Sequence, residues 1–98
     1  MPRERQAILA SLPTKGFEWR DGRNHDVLRL YYKGRKTGLF TIVSRGKEYK
    51  DYNDPLLAKM SRHLRITRAQ LNLLIDCDMD GPSYIEALRA NGVNPDTI

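Results

Sequence analysis

Residues 25–32 alternate between two kinds of side chain, and this alternation governs what the neighbouring segments can form. Successive side chains of a strand point to opposite faces, so the segment predicts a strand with one core face and one open face. The core face carries Leu28, Leu30 and Tyr32. The open face carries His25, Val27, Arg29 and Tyr31. An imidazole is therefore expected at the start of a strand, on a surface that it shares with an arginine.

Turn signals on both sides make this strand the middle one of three. Asp21-Gly22 precedes it, and the basic hairpin tip Lys33-Gly34 follows it. Neighbouring strands are expected over residues 17–20 and 37–43, which gives a three-stranded antiparallel meander. We expect helices to cover one face of this sheet, over a core that contains Phe17, Trp19, Leu28, Leu30, Phe40 and Ile42.

Helix signals lie on both sides of the three strands. A first helix is expected over residues 3–11, with Ile8 facing inward. A second helix begins with Asp54 as an acidic N-cap and Pro55 at the first helical position, and it should cover the sheet. Together these elements predict a domain of the α+β class with the order αβββα.

The last third of the chain has the pattern of two more helices. Thr67 and Gln70 have the capping-box spacing that opens one helix, and the other follows Gly81-Pro82. We expect a C-terminal helical hairpin that packs on the preceding unit. Cys77 is the only cysteine, so it excludes an internal disulfide and a cysteine-based zinc cluster, and its apolar surroundings predict a small core residue.

The charge of the chain is unevenly distributed. The 98 residues have a net charge of +5, but residues 1–66 carry 15 basic and 7 acidic side chains while residues 67–98 carry 2 basic and 5 acidic ones. Such a basic segment attracts nucleic acid, an anionic membrane or an acidic protein. No membrane partner is expected, because no helix pattern combines a basic face with bulky apolar residues. Without a signal peptide or a spanning apolar run, the protein is expected in the cytoplasm.

The open strand face and the loops around it form the candidate site. An imidazole has an unperturbed pKa of about 6.5, so His25 is a candidate general acid or base for RNA. The alternative is a structural His25 that hydrogen-bonds Asp26 or a main-chain carbonyl. The candidate RNA-binding cations are Arg23, Arg29, Lys36, Arg45, Lys47 and Lys50. This chemistry requires no metal and no other cofactor, with Arg29 or Arg45 stabilising the charge on the phosphorane.

The order of elements and several short motifs resemble the HicA (YcfA-like) toxin family. The shared features are an N-terminal helix, Lys15-Gly16-Phe17, Gly22-Arg23-Asn24-His25, a basic hairpin, and Thr41-Ile42-Val43-Ser44-Arg45-Gly46 before a helix. The resemblance covers residues 3–66. It implies a fold similar to the double-stranded-RNA-binding domain (dsRBD) over residues 1–66, with residues 67–98 as an extension packed on the same domain.

The resemblance also implies an activity and a partner. It implies a type II toxin that cleaves mRNA as an endoribonuclease and is neutralised by a HicB antitoxin. By position, His25 matches the catalytic histidine of the family and Gly22 its turn glycine, while Arg45 stands where some members have a second histidine. We expect an acidic antitoxin to bury His25 and Arg29, because such a partner would compete with RNA.

Two hypotheses of other classes stand beside this one. The first is a non-catalytic RNA-binding module that uses the same basic face. The second is a calcium-modulated or protein-interaction domain centred on residues 76–81, whose Asp-x-Asp-x-Asp-Gly pattern fits the first half of an EF-hand loop. Ala87 occupies the position of the bidentate glutamate of such a loop, which argues against calcium.

Overall fold

The chain forms a mixed α+β fold, with a three-stranded antiparallel sheet and four α-helices in the part that the computed structural model describes, residues 3–22, 24–44 and 50–98. The elements are, in chain order, β1 (Arg3–Glu4), α1 (Arg5–Ser11), a 3-10 helix (Leu12–Lys15), β2 (Phe17–Asp21), β3 (His25–Tyr32), β4 (Arg35–Ser44), β5 (Asp51–Tyr52), α2 (Asp54–His63), α3 (Arg68–Ile75) and α4 (Gly81–Ala90).

The three long strands lie in the order β2, β3, β4, so the strand that begins at His25 is the central one. Its bounds, His25–Tyr32, are those that the alternating pattern predicts. The first helix starts two residues later than expected. Arg3 and Glu4 instead pair with Tyr52 and Asp51 as a separate two-stranded ladder, which ties the N-terminal segment to the chain ahead of α2.

Helices cover one face of the sheet, as expected. On β3, Asp26, Leu28 and Leu30 are buried, whereas the odd-numbered residues are exposed or partly exposed. The buried face packs against Ile8 of α1 and Leu57 of α2 within one continuous core. At about 25 cal/mol per Å² of buried apolar surface, this layer of helices on sheet supplies the main favourable contribution to folding.

The expected orientation of β4 is wrong. Phe40 and Ile42 are 39% and 42% exposed, and the adjacent Leu39, Thr41 and Val43 point into the core. The reason is the register with β3, in which Thr41 lies opposite Leu28 and Val43 opposite Asp26, followed by an irregularity between Arg29 and Tyr31. The inward face of β4 includes the polar residue Thr41. The sequence therefore did not identify this face as the buried one, because the buried face of a strand is predicted from its apolar residues.

Trp19 is also not a core residue. It lies opposite Leu28 and therefore on the covered face, but it belongs to the edge strand β2 and is 45% exposed. The covering helices bury Leu28 and Leu30 of the central strand, but on the edge strand β2 they bury only Phe17.

Side-chain caps fix the starts of the last three helices. Asn53, rather than Asp54, accepts the Leu56 N–H at the start of α2. Thr67 and Gln70 form the predicted reciprocal capping box at the start of α3. Such caps satisfy main-chain N–H groups that have no partner within the helix. Each described helix is far shorter than the roughly 20 residues needed to cross a bilayer, and none qualifies as a membrane span.

Tyr84 joins α4 to the rest of the fold. Its side chain is fully buried, its ring lies 5.3 Å from that of Phe17, and its hydroxyl donates to the Leu64 carbonyl at 2.9 Å. Burial raises the pKa of the Tyr84 phenol, so the hydroxyl keeps its proton and remains a donor. The sheet, the end of α2 and α4 therefore share one core.

The expectation of a buried Cys77 is wrong. Helix α3 ends at Ile75, and Cys77 is exposed in the turn that follows, with a φ of 64° in the left-handed region. The unexpected buried residue is Lys15, whose ammonium donates to the Leu74 carbonyl at 3.4 Å and to the Cys77 sulfur at 3.0 Å. A buried lysine needs such partners, and Lys15 links the 3-10 helix to the end of α3.

Candidate nucleic-acid interface

His25 is exposed at the first position of β3, on the uncovered face of the sheet. Gly22 makes this placement possible, because a Cβ on residue 22 would lie 2.1 Å from the His25 carbonyl oxygen. Only glycine tolerates so close an approach of two main-chain segments. Asp26 is 2% exposed on the opposite face, which separates its carboxylate from the imidazole. The structure therefore gives no support to the alternative in which Asp26 anchors His25.

The Arg5 side chain meets the end of β4 at its outer edge, away from β3, because the Ser44 N–H donates outward to Tyr52 and the Ser44 carbonyl points the same way. Ser44 stands opposite His25 in the β3–β4 register, and the Arg5 guanidinium donates to the Ser44 carbonyl at 3.4 Å. The Arg5 main-chain N–H donates to the Lys50 carbonyl at 2.8 Å, so the exposed Lys50 lies beside Arg5. Arg5 is not among the predicted cations, which come only from the strands and their loops. Its proximity depends on the ladder between β1 and β5.

Arg29 shares the open face with His25 but points elsewhere. Its guanidinium donates to the Thr37 carbonyl at 3.1 Å and lies 4.6 Å from the centre of the Phe40 ring, a cation–π contact. Arg29 is four residues along the strand from His25, a separation of roughly 13 Å at about 3.3 Å per residue. It is therefore placed to contact a neighbouring phosphate and not to stabilise a phosphorane formed at His25.

Lys36 lies at the opposite end of the open face. It pairs with Tyr31 near the β3–β4 hairpin and lines a shallow depression of about 310 Å³ that also contacts Arg29 and Val27. The same depression includes Glu18, which accepts a hydrogen bond from Arg20 at 2.8 Å. The Glu18 carboxylate raises the pKa of Arg20 and cancels part of the positive charge of the open face.

The structure thus places Arg29 in the middle of the open face and Lys36 at its far end, while Lys50 lies beside Arg5. The other candidate cations, Arg23, Arg45 and Lys47, lie outside the described residues. The described part of the interface is a row of separated charges with one imidazole, which suits contact with several phosphates of one strand of nucleic acid.

The acidic turn has structural roles. The Asp76 carboxylate forms an ion pair with Arg3, and Asp80 accepts the Ser83 N–H at 2.9 Å as the N-cap of α4. This main-chain hydrogen bond lowers the pKa of Asp80. Helix α4 begins at Gly81. In an EF-hand this glycine would be the sixth residue of a twelve-residue loop, so the helix begins while the loop should still continue. Within the described residues, no group of three or more His, Cys, Asp or Glu side chains is arranged to hold a metal ion.

His63 lies on another surface. It is exposed near the end of α2, and its Nδ1 lies 3.1 Å from the Thr41 hydroxyl oxygen. Partial burial lowers the pKa of His63, and the nearby charges of Lys59 and Arg62 lower it further. This histidine faces the outer edge of β4 and takes no part in the interface around His25.

Comparison with models of known families, with curated proteins and with solved structures finds no match for this chain.

Proposed function

We propose that the chain is a metal-independent endoribonuclease of the HicA type, the toxin of a type II toxin–antitoxin pair, which cleaves mRNA. The proposal includes a dsRBD-like fold for residues 1–66 and a C-terminal helical hairpin within residues 67–98. One observation carries it: His25 is exposed at the start of the central strand, on the uncovered sheet face, beside a turn that requires Gly22. The motif that supports the family resemblance contains the same two residues.

In this mechanism the open face acts on the ribose of the substrate. A base removes the proton from a 2′-hydroxyl, the 2′-oxygen attacks the adjacent phosphorus, and the bond to the 5′-oxygen breaks as that oxygen takes up a proton. The products are a 2′,3′-cyclic phosphate and a 5′-hydroxyl. His25 supplies one of the two proton transfers. Of the two arginines to which the sequence gave the charge-stabilising role, Arg29 points toward the Thr37 carbonyl, so Arg45 keeps that role in this proposal.

The surrounding cations hold the RNA in this proposal. Arg29 and Lys36 bind phosphates along the open face, and Lys50 binds a further phosphate near the end of β4. Tyr31, partly exposed between them, offers a ring for an unpaired base. The proposed cellular setting is the cytoplasm, with a HicB-like antitoxin that buries His25 and Arg29.

A second candidate function is RNA binding without cleavage. The observation that favours it is the spread of charge along the open face, because Arg29 and Lys36 lie far from His25 and act without it. The two functions share the binding surface and differ only in whether the 2′-hydroxyl reacts. A calcium-modulated domain finds no support in the geometry of residues 76–81, where Asp76 and Asp80 already have partners.

Both RNA hypotheses predict a defined salt dependence of binding. Each phosphate contact to single-stranded RNA contributes about 0.7 to the slope of log K against log salt concentration. We expect Arg29→Ala and Lys36→Ala each to reduce the slope by about this amount, and to weaken binding about equally across sequences. The measurement is a titration of a labelled single-stranded RNA at several salt concentrations.

Lys59→Ala provides the matched control, because Lys59 is an exposed cation on α2 and does not belong to the open face. Its slope should equal that of the unmodified chain. A slope unchanged by both Arg29→Ala and Lys36→Ala would remove the open face as the RNA-binding surface.

A further inference from the structure

The outer edge of β4 borders a groove that the proposed ribonuclease mechanism does not use. Two depressions of about 880 Å³ and about 110 Å³ adjoin along this edge, since both are lined by Ile42, Lys59 and His63. The strand forms one wall and helix α2 the other. We call this the β4–α2 groove.

The strand wall of the β4–α2 groove presents main-chain groups that no other described strand pairs. Among the described residues, strand β4 pairs with β3 on one side only. The Ser44 N–H points away from β3, because it donates to the Tyr52 hydroxyl at 2.6 Å. In an antiparallel sheet every second residue directs both its N–H and its C=O to the same side, so Ile42 and Phe40 also direct theirs outward. These groups form a template for another strand.

The side chains of the β4–α2 groove divide into two kinds. On the open-face side, Phe40 and Ile42 leave 39% and 42% of their surface exposed. On the helix side the exposed cations Lys59, Arg62 and Arg65 line the groove. None of the described residues that line either depression is acidic. An edge strand normally avoids such exposed apolar residues, so this edge has the composition of a binding surface.

We propose that the β4–α2 groove binds an extended acidic segment of a partner protein, which adds to the sheet as a strand beside β4. Alternate residues of the added strand would face opposite sides. One set would contact Phe40 and Ile42 and is therefore apolar. The other set would face Lys59 and Arg62 and is therefore Asp or Glu. This inference goes beyond RNA cleavage and does not depend on it.

The ends of the β4–α2 groove set the length of the bound segment. At the Gly38 end the C-terminal residues close it, since a Cβ on Gly38 would lie 3.9 Å from Ile98. The Arg35 guanidinium holds these residues by donating to the carbonyls of Pro95 and Ile98 at 2.8 and 2.9 Å. At the other end Ser44 is already occupied, because its N–H donates to Tyr52 and its carbonyl accepts from Arg5. The available edge is therefore residues 39–43, which matches a short strand.

The test uses the full chain and a fluorescent synthetic peptide that alternates Glu or Asp with Val, Ile or Phe over eight residues. We expect saturable binding by anisotropy. Lys59→Glu/Arg62→Glu should weaken the binding about tenfold or more, because it reverses two charges that face the peptide. The matched control is Arg20→Glu/Lys36→Glu, which changes the net charge equally but on the open face. It should leave peptide binding unchanged. Circular dichroism checks that both variants fold.

Two further measurements separate strand addition from charge attraction. N-methylation of the peptide amides along one edge should abolish binding, because it removes the main-chain donors. In hydrogen exchange, bound peptide should protect the Phe40 and Ile42 amides while leaving that of Val27 in β3 unchanged. The proposal is overturned if the peptide does not bind, if both double variants weaken it equally, or if the two edge amides gain no protection.

Competing occupants of the β4–α2 groove also give distinct results. A loss of affinity for single-stranded RNA in Lys59→Glu/Arg62→Glu, with peptide binding unchanged, would assign the groove to RNA and overturn the proposal. Where sedimentation shows that the chain forms a dimer, the N-methylated peptide is compared with the unmethylated one. If both peptides disrupt the dimer equally well, the edge binds a second copy of the chain and the proposal is overturned. Failure of RNA cleavage leaves these peptide results unaffected, so the inference and the proposed function are separately testable.

Discussion

His25→Ala is expected to reduce RNA cleavage by about 10²–10⁴-fold, the usual loss when a general acid or base is removed. His25 is exposed and contributes no core volume, so the free energy of unfolding should change by less than about 1 kcal/mol. RNA affinity should persist because Lys50, Arg29 and Lys36 remain. The measurement is a single-turnover cleavage assay on labelled RNA, with binding measured in parallel.

Asn24→Ala is the matched control for this prediction, because Asn24 is exposed in the same turn. It should cleave at the rate of the unmodified chain. If His25→Ala folds, binds RNA and still cleaves at that rate, His25 has no catalytic role and the non-catalytic RNA-binding module becomes the better account.

Tyr84→Ala is expected to destabilise the chain by about 3–5 kcal/mol, the usual cost of truncating a buried aromatic side chain. Tyr84 is fully buried against Phe17, so the substitution leaves a cavity between α4 and the sheet. It also leaves the Leu64 carbonyl without the hydroxyl that it accepts from. Denaturant unfolding monitored by circular dichroism measures the change.

Tyr84→Phe separates the two contributions, since it retains the ring and removes only the hydroxyl. It should cost about 1–3 kcal/mol, the penalty for leaving a buried polar group without a partner. Both variants should unfold in one transition, because residues on both sides of position 67 share a core. A biphasic transition, or a Tyr84→Ala cost below that of Tyr84→Phe, would mean that α4 is not integral to the fold.

Local patterns predicted most of the secondary structure. The alternation of residues 25–32 gave the central strand its observed bounds, and the capping box of Thr67 and Gln70 forms as expected. Both signals depend on residues close in sequence, through strand geometry or a single helical turn. The exposure of His25 followed from the same alternation.

Properties that depend on distant contacts were not predictable. The phase of β4 depends on its register with β3, and this register exposes Phe40 and Ile42, which the sequence assigned to the core. The direction of Arg29 depends on the Thr37 carbonyl and the Phe40 ring on the neighbouring strand. Arg5 reaches the Ser44 carbonyl only through the β1–β5 ladder. No local pattern carries this information, because each case depends on which face or edge a second segment presents.

The proposed cleavage mechanism is tested most directly by identifying the products of single-stranded RNA incubated with the unmodified chain in EDTA, beside DNA of the same sequence. The mechanism predicts that the RNA is cut to fragments with 2′,3′-cyclic phosphate and 5′-hydroxyl ends, while the DNA stays intact because it has no 2′-hydroxyl. RNA that remains uncut in EDTA, or cleavage of RNA and DNA alike only when Mg²⁺ is added, would contradict it.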